Sequence, residues 1–140
     1  MKNIGLSIML SLFMGLVSGC FAQEDVKANK AETLESEKTE VYYFHFERRC
    51  ATCMAVESES EKAIMELYPE KVESGEISFI SVNLEEESNE SLAEKLEVSG
   101  QTLLVVKGDK KDNLTNVAFM YARSDPDKLK KAIRESIEAL

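Results

Sequence analysis

Val41-Tyr42-Tyr43-Phe44-His45-Phe46-Glu47-Arg48-Arg49-Cys50-Ala51-Thr52-Cys53 is the stretch on which the reading of this chain turns. Its first six residues are apolar or aromatic apart from His45, and they predict a short buried strand. A helical pattern takes over at about Arg49 and runs to Tyr68. Cys53, Val56, Ala63, Ile64 and Leu67 share one face of it, while Glu57, Glu59, Glu61, Lys62 and Glu66 lie elsewhere; Pro69 marks its expected end. Cys50 and Cys53 therefore stand at a strand-to-helix junction. Unpaired amides and the dipole of the helix start favour a thiolate there, and the second sulfur, one turn on, is near enough to close a disulfide.

The chain has 140 residues and three cysteines, and the third, Cys20, lies in a segment of another kind. Residues 1–22 read as an export signal: Lys2 gives the positive start, and Ile4 to Val17 is apolar but short for a membrane span. Val17-Ser18-Gly19-Cys20 resembles the bacterial lipobox, in which the cysteine becomes the lipidated first residue. Cys20-Phe21-Ala22 before Gln23 also fits ordinary signal cleavage. The lipoprotein reading is preferred, with a periplasmic or cell-envelope location and a lipid anchor at Cys20; the alternative is a soluble secreted protein. Either route leaves Cys50 and Cys53 to pair in a disulfide-permissive compartment. A loop this short adds little as a structural staple, so redox or metal chemistry is the stronger reading of the pair.

Residues 23–40 are charged and poor in large apolar side chains, as in a flexible linker, and the folded domain is expected over 41–140. The net charge of −9 argues against nucleic acid and anionic lipid headgroups as partners. Acidic runs such as Glu57 to Glu61 and Glu85 to Glu90 read as solvated faces and loops. Farther along, Ile77 to Leu84 predicts a second strand, and Asn89 to Val98 a short helix ending at Ser99-Gly100. Thr102 to Lys107 predicts a third strand, Gly108 to Asn113 a polar turn, and Leu114 to Tyr121 a fourth strand in an antiparallel hairpin. Asp125 is placed to cap a last helix with Pro126 at its first position, and Leu129, Ala132, Ile133, Ile137 and Leu140 form its apolar stripe.

The resulting order, β-α-β-α-β-β-α with the cysteine pair at the first β-to-α junction, resembles the thioredoxin-like fold: an α/β architecture with a central four-stranded mixed sheet flanked by helices. Val98 to Gly108 resembles the segment that passes through a cis-proline into the third core strand of that family. The resemblance covers nearly all of residues 41–140. It implies that Cys50 is the exposed attacking thiolate and Cys53 the buried resolving thiol of a redox-active disulfide. It also implies that Gly100, Gln101 and Thr102 form the loop facing the substrate. No cofactor beyond the disulfide and no resident metal is implied. The partners would be protein thiols and disulfides together with a redox partner protein.

Arg48 and Arg49 bring positive charge beside Cys50 and are expected to stabilise its thiolate. Two departures from the family stand out. Gln101 occupies the cis-proline's place and is expected to be trans, since a non-proline cis bond costs about 3–4 kcal/mol. The family's buried acid on the first strand aligns with Phe44, so that proton relay is absent, with His45 and Glu47 as candidate bases. Ala51-Thr52 replaces the family's Gly-Pro. The leading expectation is an exported thiol–disulfide oxidoreductase. The alternatives are a non-catalytic binding domain of the same fold and a metal-binding or delivery module using the same cysteines. Against the metal module, copper chaperones with this motif end in a strand, and two cysteines alone do not complete a tetrahedral zinc site.

Overall fold

The structure, a computed structural model, describes residues 38–140. The export signal, Cys20 with its proposed lipidation, and most of the linker lie outside the described residues. Strand β1 (Thr39–His45) starts two residues ahead of the expected Val41, where the Thr39 amide donates to the Glu76 carbonyl at 2.9 Å. Helix α1 (Ala51–Leu67) follows, and Tyr68 closes it by donating its amide to the Ile64 carbonyl. Pro69 does end α1, but it also opens a short helix, α2 (Pro69–Glu73), because its ring supplies a ready helical φ at a first position. Strand β2 (Ile77–Asn83), a turn of 3₁₀ helix (Glu87–Asn89), helix α3 (Glu90–Leu96) and strand β3 (Thr102–Lys107) come next.

The last third of the chain differs from the expectation. Strand β4 is Lys110–Asn113, and Leu114 to Tyr121 is not a strand: it holds helix α4 (Thr115–Tyr121). Lys107 pairs directly with Lys110, so the reversal takes only Gly108 and Asp109, with Gly108 at φ 57°, where a Cβ would be strained. The polar run thus becomes an edge strand whose lysines guard against edge-to-edge pairing. Asn113 Oδ1 then accepts the Thr115 amide at 3.0 Å and starts the helix. Spacing explains why helix wins over the β-branched and aromatic composition. Leu114, Ala118 and Ala122, four apart, are all buried, whereas strand alternation would have buried Asn116 and Met120, which are exposed. Helix α5 (Pro126–Ala139) completes the chain with Pro126 in its first turn. Asp125 precedes it as expected, but its carboxylate pairs with Lys128 at 3.1 Å and caps no amide.

The four strands form one mixed sheet in the order β2-β1-β3-β4, with β1 parallel to β2 and the other neighbours antiparallel. Alternation along the strands divides the core. Val41 and Tyr43 of β1 join Leu103 and Val105 of β3 on one face, against Val56 and Ile64 of α1, Ala118 of α4, and Leu129 and Ile133 of α5. Tyr42 and Phe44 join Val82, Leu104 and Val106 on the other face, against Ala93 of α3. Among the described residues no helix is long and apolar enough to cross a membrane.

Candidate functional site

β1 delivers the chain to the top of the sheet, and the five residues after it, ending at Cys50, carry it into α1. This loop is pinned along its length. The His45 carbonyl accepts the Leu84 amide at 2.8 Å, and the Glu47 amide donates to the Glu85 carboxylate at 2.6 Å. Cys50 is the N-cap of α1, with extended backbone (φ −87°, ψ 169°), and its Sγ accepts the Cys53 amide at 3.3 Å. The Met54 amide donates to the Cys50 carbonyl at 3.0 Å, which begins the helical ladder. A cysteine thus does the work usually given to Ser, Asp or Asn, and its sulfur sits on the positive end of a 17-residue helix.

Both sulfurs are unbonded thiols, Cys50 exposed and Cys53 buried at 3% exposure. The Cys50 thiol is pushed below its ordinary range, first by a side-chain hydrogen bond from Cys53. The Cys53 amide adds to this, desolvation opposes it, and the amides of Thr52 and Cys50 contribute least. The arginines are not among these causes. Arg49 forms an ion pair with Glu57, whose other oxygen accepts the Ser81 hydroxyl on β2; Arg48 is exposed. The sequence predicts that Glu57 belongs to a solvated acidic run. It is instead half-buried and ties the residue before Cys50 to the neighbouring strand. The available signal was its position one helical turn beyond Cys53, on the same face.

His45 is buried, and its Nδ1 lies 2.9 Å from the Phe46 carbonyl. Since a carbonyl only accepts, the proton is on Nδ1. Glu47 is exposed. Phe44, where the resemblance puts the family's buried acid, does not face the cysteines. Phe44 points to the opposite face of the sheet, among Val82, Ala93 and Leu104. Tyr43, one residue earlier, faces the helix that carries the cysteines. It is fully buried, and its hydroxyl has no hydrogen-bond partner among the described residues. Its phenol is held far above its ordinary range, first by burial and then by Cys53, Glu57 and Cys50, with Arg49 opposing. Beneath the cysteine pair β1 therefore offers a phenol and no carboxylate.

The third side of the site is the loop into β3. Glu97 takes a left-handed conformation (φ 60°) at the end of α3, and the Val98 amide returns to the Ala93 carbonyl at 2.8 Å. Every peptide bond among the described residues is trans, the one before Gln101 included. Thr102 Oγ1 donates to the Gly100 carbonyl at 3.0 Å, and Gln101 Oε1 accepts from Cys53 Sγ at 3.3 Å. Cys50, Cys53 and Gln101 are thus assembled from elements far apart in sequence. An open groove of about 500 Å³ runs from Gln101 past Gly100, Val98 and Leu104 to Lys111. Phe46 and Met54, which bracket the cysteine loop in sequence, leave large apolar side chains exposed. Among the described residues no three His, Cys, Asp or Glu side chains converge as a metal site.

No protein-family model matches the chain, and no curated protein matches it by sequence. Its architecture does have solved counterparts. Thioredoxin O2 from Arabidopsis thaliana, in its oxidized state, superposes with a TM-score of 0.51 at 20% identity, covering 79% of this chain and 87% of that one. The Fasciola hepatica thioredoxin gives a TM-score of 0.47 at 19% identity over 80% and 93% of the two chains. Four strands in the order β2-β1-β3-β4, helices on both faces and a Cys-x-x-Cys at the first strand-to-helix junction make this a thioredoxin-like fold.

Proposed function

We propose that the chain is a thiol–disulfide oxidoreductase acting on protein disulfides through Cys50 and Cys53. One observation carries this reading: the exposed Cys50 sulfur caps α1 and is hydrogen-bonded by Cys53, whose own sulfur is buried directly behind it. That is an attacking thiolate with its resolving thiol one turn away. Cys50 Sγ⁻ attacks one sulfur of a substrate disulfide, forming a mixed disulfide and releasing the other sulfur as a thiolate. Cys53 then loses its proton and attacks Cys50 Sγ. The Cys50–Cys53 disulfide forms, the bond to the substrate breaks, and the second thiolate leaves. The substrate gains two electrons and the dithiol gives them up. A redox partner protein restores the starting state, and the same steps in reverse oxidise a substrate.

Arg48, exposed before Cys50, supplies positive charge at the mouth of the site, while the charge of Arg49 is taken up by Glu57. Gly100, Gln101 and Thr102 form the wall against which a substrate strand lies. The chain is exported and held at the cell envelope through a lipid on Cys20; the sequence of residues 1–22 supports this part of the reading. The test is reduction of a protein disulfide such as that of insulin, followed with Cys50→Ser and Cys53→Ser. Cys50→Ser abolishes turnover, and Cys53→Ser stalls as a mixed disulfide on Cys50. Undiminished turnover in Cys50→Ser refutes the assignment.

A further inference from the structure

We propose that the side-chain amide of Gln101 is a positioning group for Cys53, accepting its thiol proton at rest and donating to its sulfur as that sulfur becomes the attacking thiolate. The inference deepens the oxidoreductase reading and takes its biological role from it. Its chemistry rests on three observations. Cys53 Sγ lies 3.3 Å from Gln101 Oε1, deep enough that only 3% of the residue is exposed. The thiol has one proton: Gln101 Oε1 is its acceptor, and Cys50 Sγ, which accepts the Cys53 amide at 3.3 Å, stands as the competing acceptor one turn away. Gln101 Nε2 makes no hydrogen bond among the described residues, so exchanging the two amide atoms breaks no other bond there.

The competition has a direction during turnover. Once Cys50 is tied up in a mixed disulfide, its sulfur is no longer an anion and accepts the Cys53 proton poorly. Gln101 is then the polar side chain in contact with the buried sulfur. A buried thiolate without a donor is costly, and a hydrogen bond to the charged form offsets that cost. A half-turn about the Gln101 Cγ–Cδ bond exchanges Oε1 for Nε2 and turns an acceptor for S–H into a donor for S⁻ at the same place. No proline could do this, so the replacement that removes the family's loop residue supplies a polar group to the resolving sulfur. Other ionisable and charged groups near this point are Cys50, Tyr43, Glu57 and Arg49, with the His45 ring 5.9 Å from that of Tyr43. Glu57 and Arg49 neutralise each other, and the Tyr43 hydroxyl remains unpartnered among the described residues.

A single-turnover reaction with 5,5′-dithiobis(2-nitrobenzoate) on the full chain carrying Cys20→Ser tests this. Cys50 attacks the reagent and releases one thionitrobenzoate. Cys53 Sγ then bonds to Cys50 Sγ, the bond to the second thionitrobenzoate breaks and it leaves as a coloured thiolate, and the Cys53 proton goes to solvent. The first release scales with reagent concentration and the second does not. Loading is chemical, so the experiment does not depend on the chain acting on protein disulfides; failure with insulin alongside a Gln101-dependent second release would refute only the oxidoreductase reading. Gln101→Leu is expected to slow the second release about tenfold, the factor that one hydrogen bond to a charged group is worth, and not to slow the first, since the Cys53 proton is then left to Cys50 alone. Gln101→Glu keeps the shape and the acceptor but loses the donor and adds negative charge, so it slows the second release further. Second release at the unsubstituted rate in Gln101→Glu overturns the inference, as does equal slowing of both releases in both variants.

Discussion

Cys50 carries two jobs: it caps a helix, and in the proposed reading it is also the nucleophile. Its thiol is lowered by Cys53 and by the amides of the first turn, without help from the arginines that precede it. Two expectations follow. The rate of Cys50 alkylation should reach half its maximum below the range of an ordinary thiol, and Cys53→Ala should move that midpoint up, because the leading cause is removed. Stability should respond as well. Cys50 sits below the 9.0 of an unconstrained thiol when folded, so its contribution is complete above 9.0 and is lost as pH falls through the lowered value. The denaturation midpoint of the reduced chain should therefore rise relative to Cys50→Ser across that window; parallel profiles would contradict the assignment. Glu57→Gln tests the neighbouring pair. Freed from its partner, Arg49 should lower the Cys50 midpoint further, and the half-exposed ion pair should cost about 1 kcal/mol or less of stability.

At the scale of elements, the sequence was most readable where periodicity or composition pointed one way and least readable where the two disagreed. The first and last helices repeat their pattern over several turns, and the strands at Ile77 and Thr102 are dense in β-branched and apolar residues, so all four stand close to their expected bounds. Leu114 to Tyr121 is too short for composition to decide. Val117, Phe119 and Tyr121 favour a strand by type, while the small Ala118 and Ala122 lie four apart where a helix crosses the sheet. Substitution separates the two arrangements, because positions 118 and 120 share a face in a strand but not in a helix. Ala118→Leu should cost about 1–3 kcal/mol by overpacking a fully buried position, whereas Met120→Lys should stay within about 0.5 kcal/mol of the parent in urea unfolding. Similar losses in both would restore the strand.

Across the whole molecule, the fold gathers at one end of the sheet residues that the sequence presents as unrelated. The cysteine spacing and its place at a strand-to-helix junction were legible because both are local. The contact of Gln101 with Cys53 and the tie from Arg49 through Glu57 to Ser81 were not, because they depend on how β1, β2 and β3 line up. Alternation along β1 matters too: neighbouring side chains lie on opposite faces of the sheet, so Tyr43, and not Phe44, lies under the cysteines. All of this serves one claim, that Cys50 and Cys53 cycle between dithiol and disulfide. Equilibration of the full chain carrying Cys20→Ser against glutathione, read by the fraction of free thiol, tests it most directly. A reversible two-electron transition lost in Cys50→Ser, with a midpoint between about −270 and −120 mV, is the predicted result. A pair that stays dithiol or stays disulfide across the whole range would contradict it.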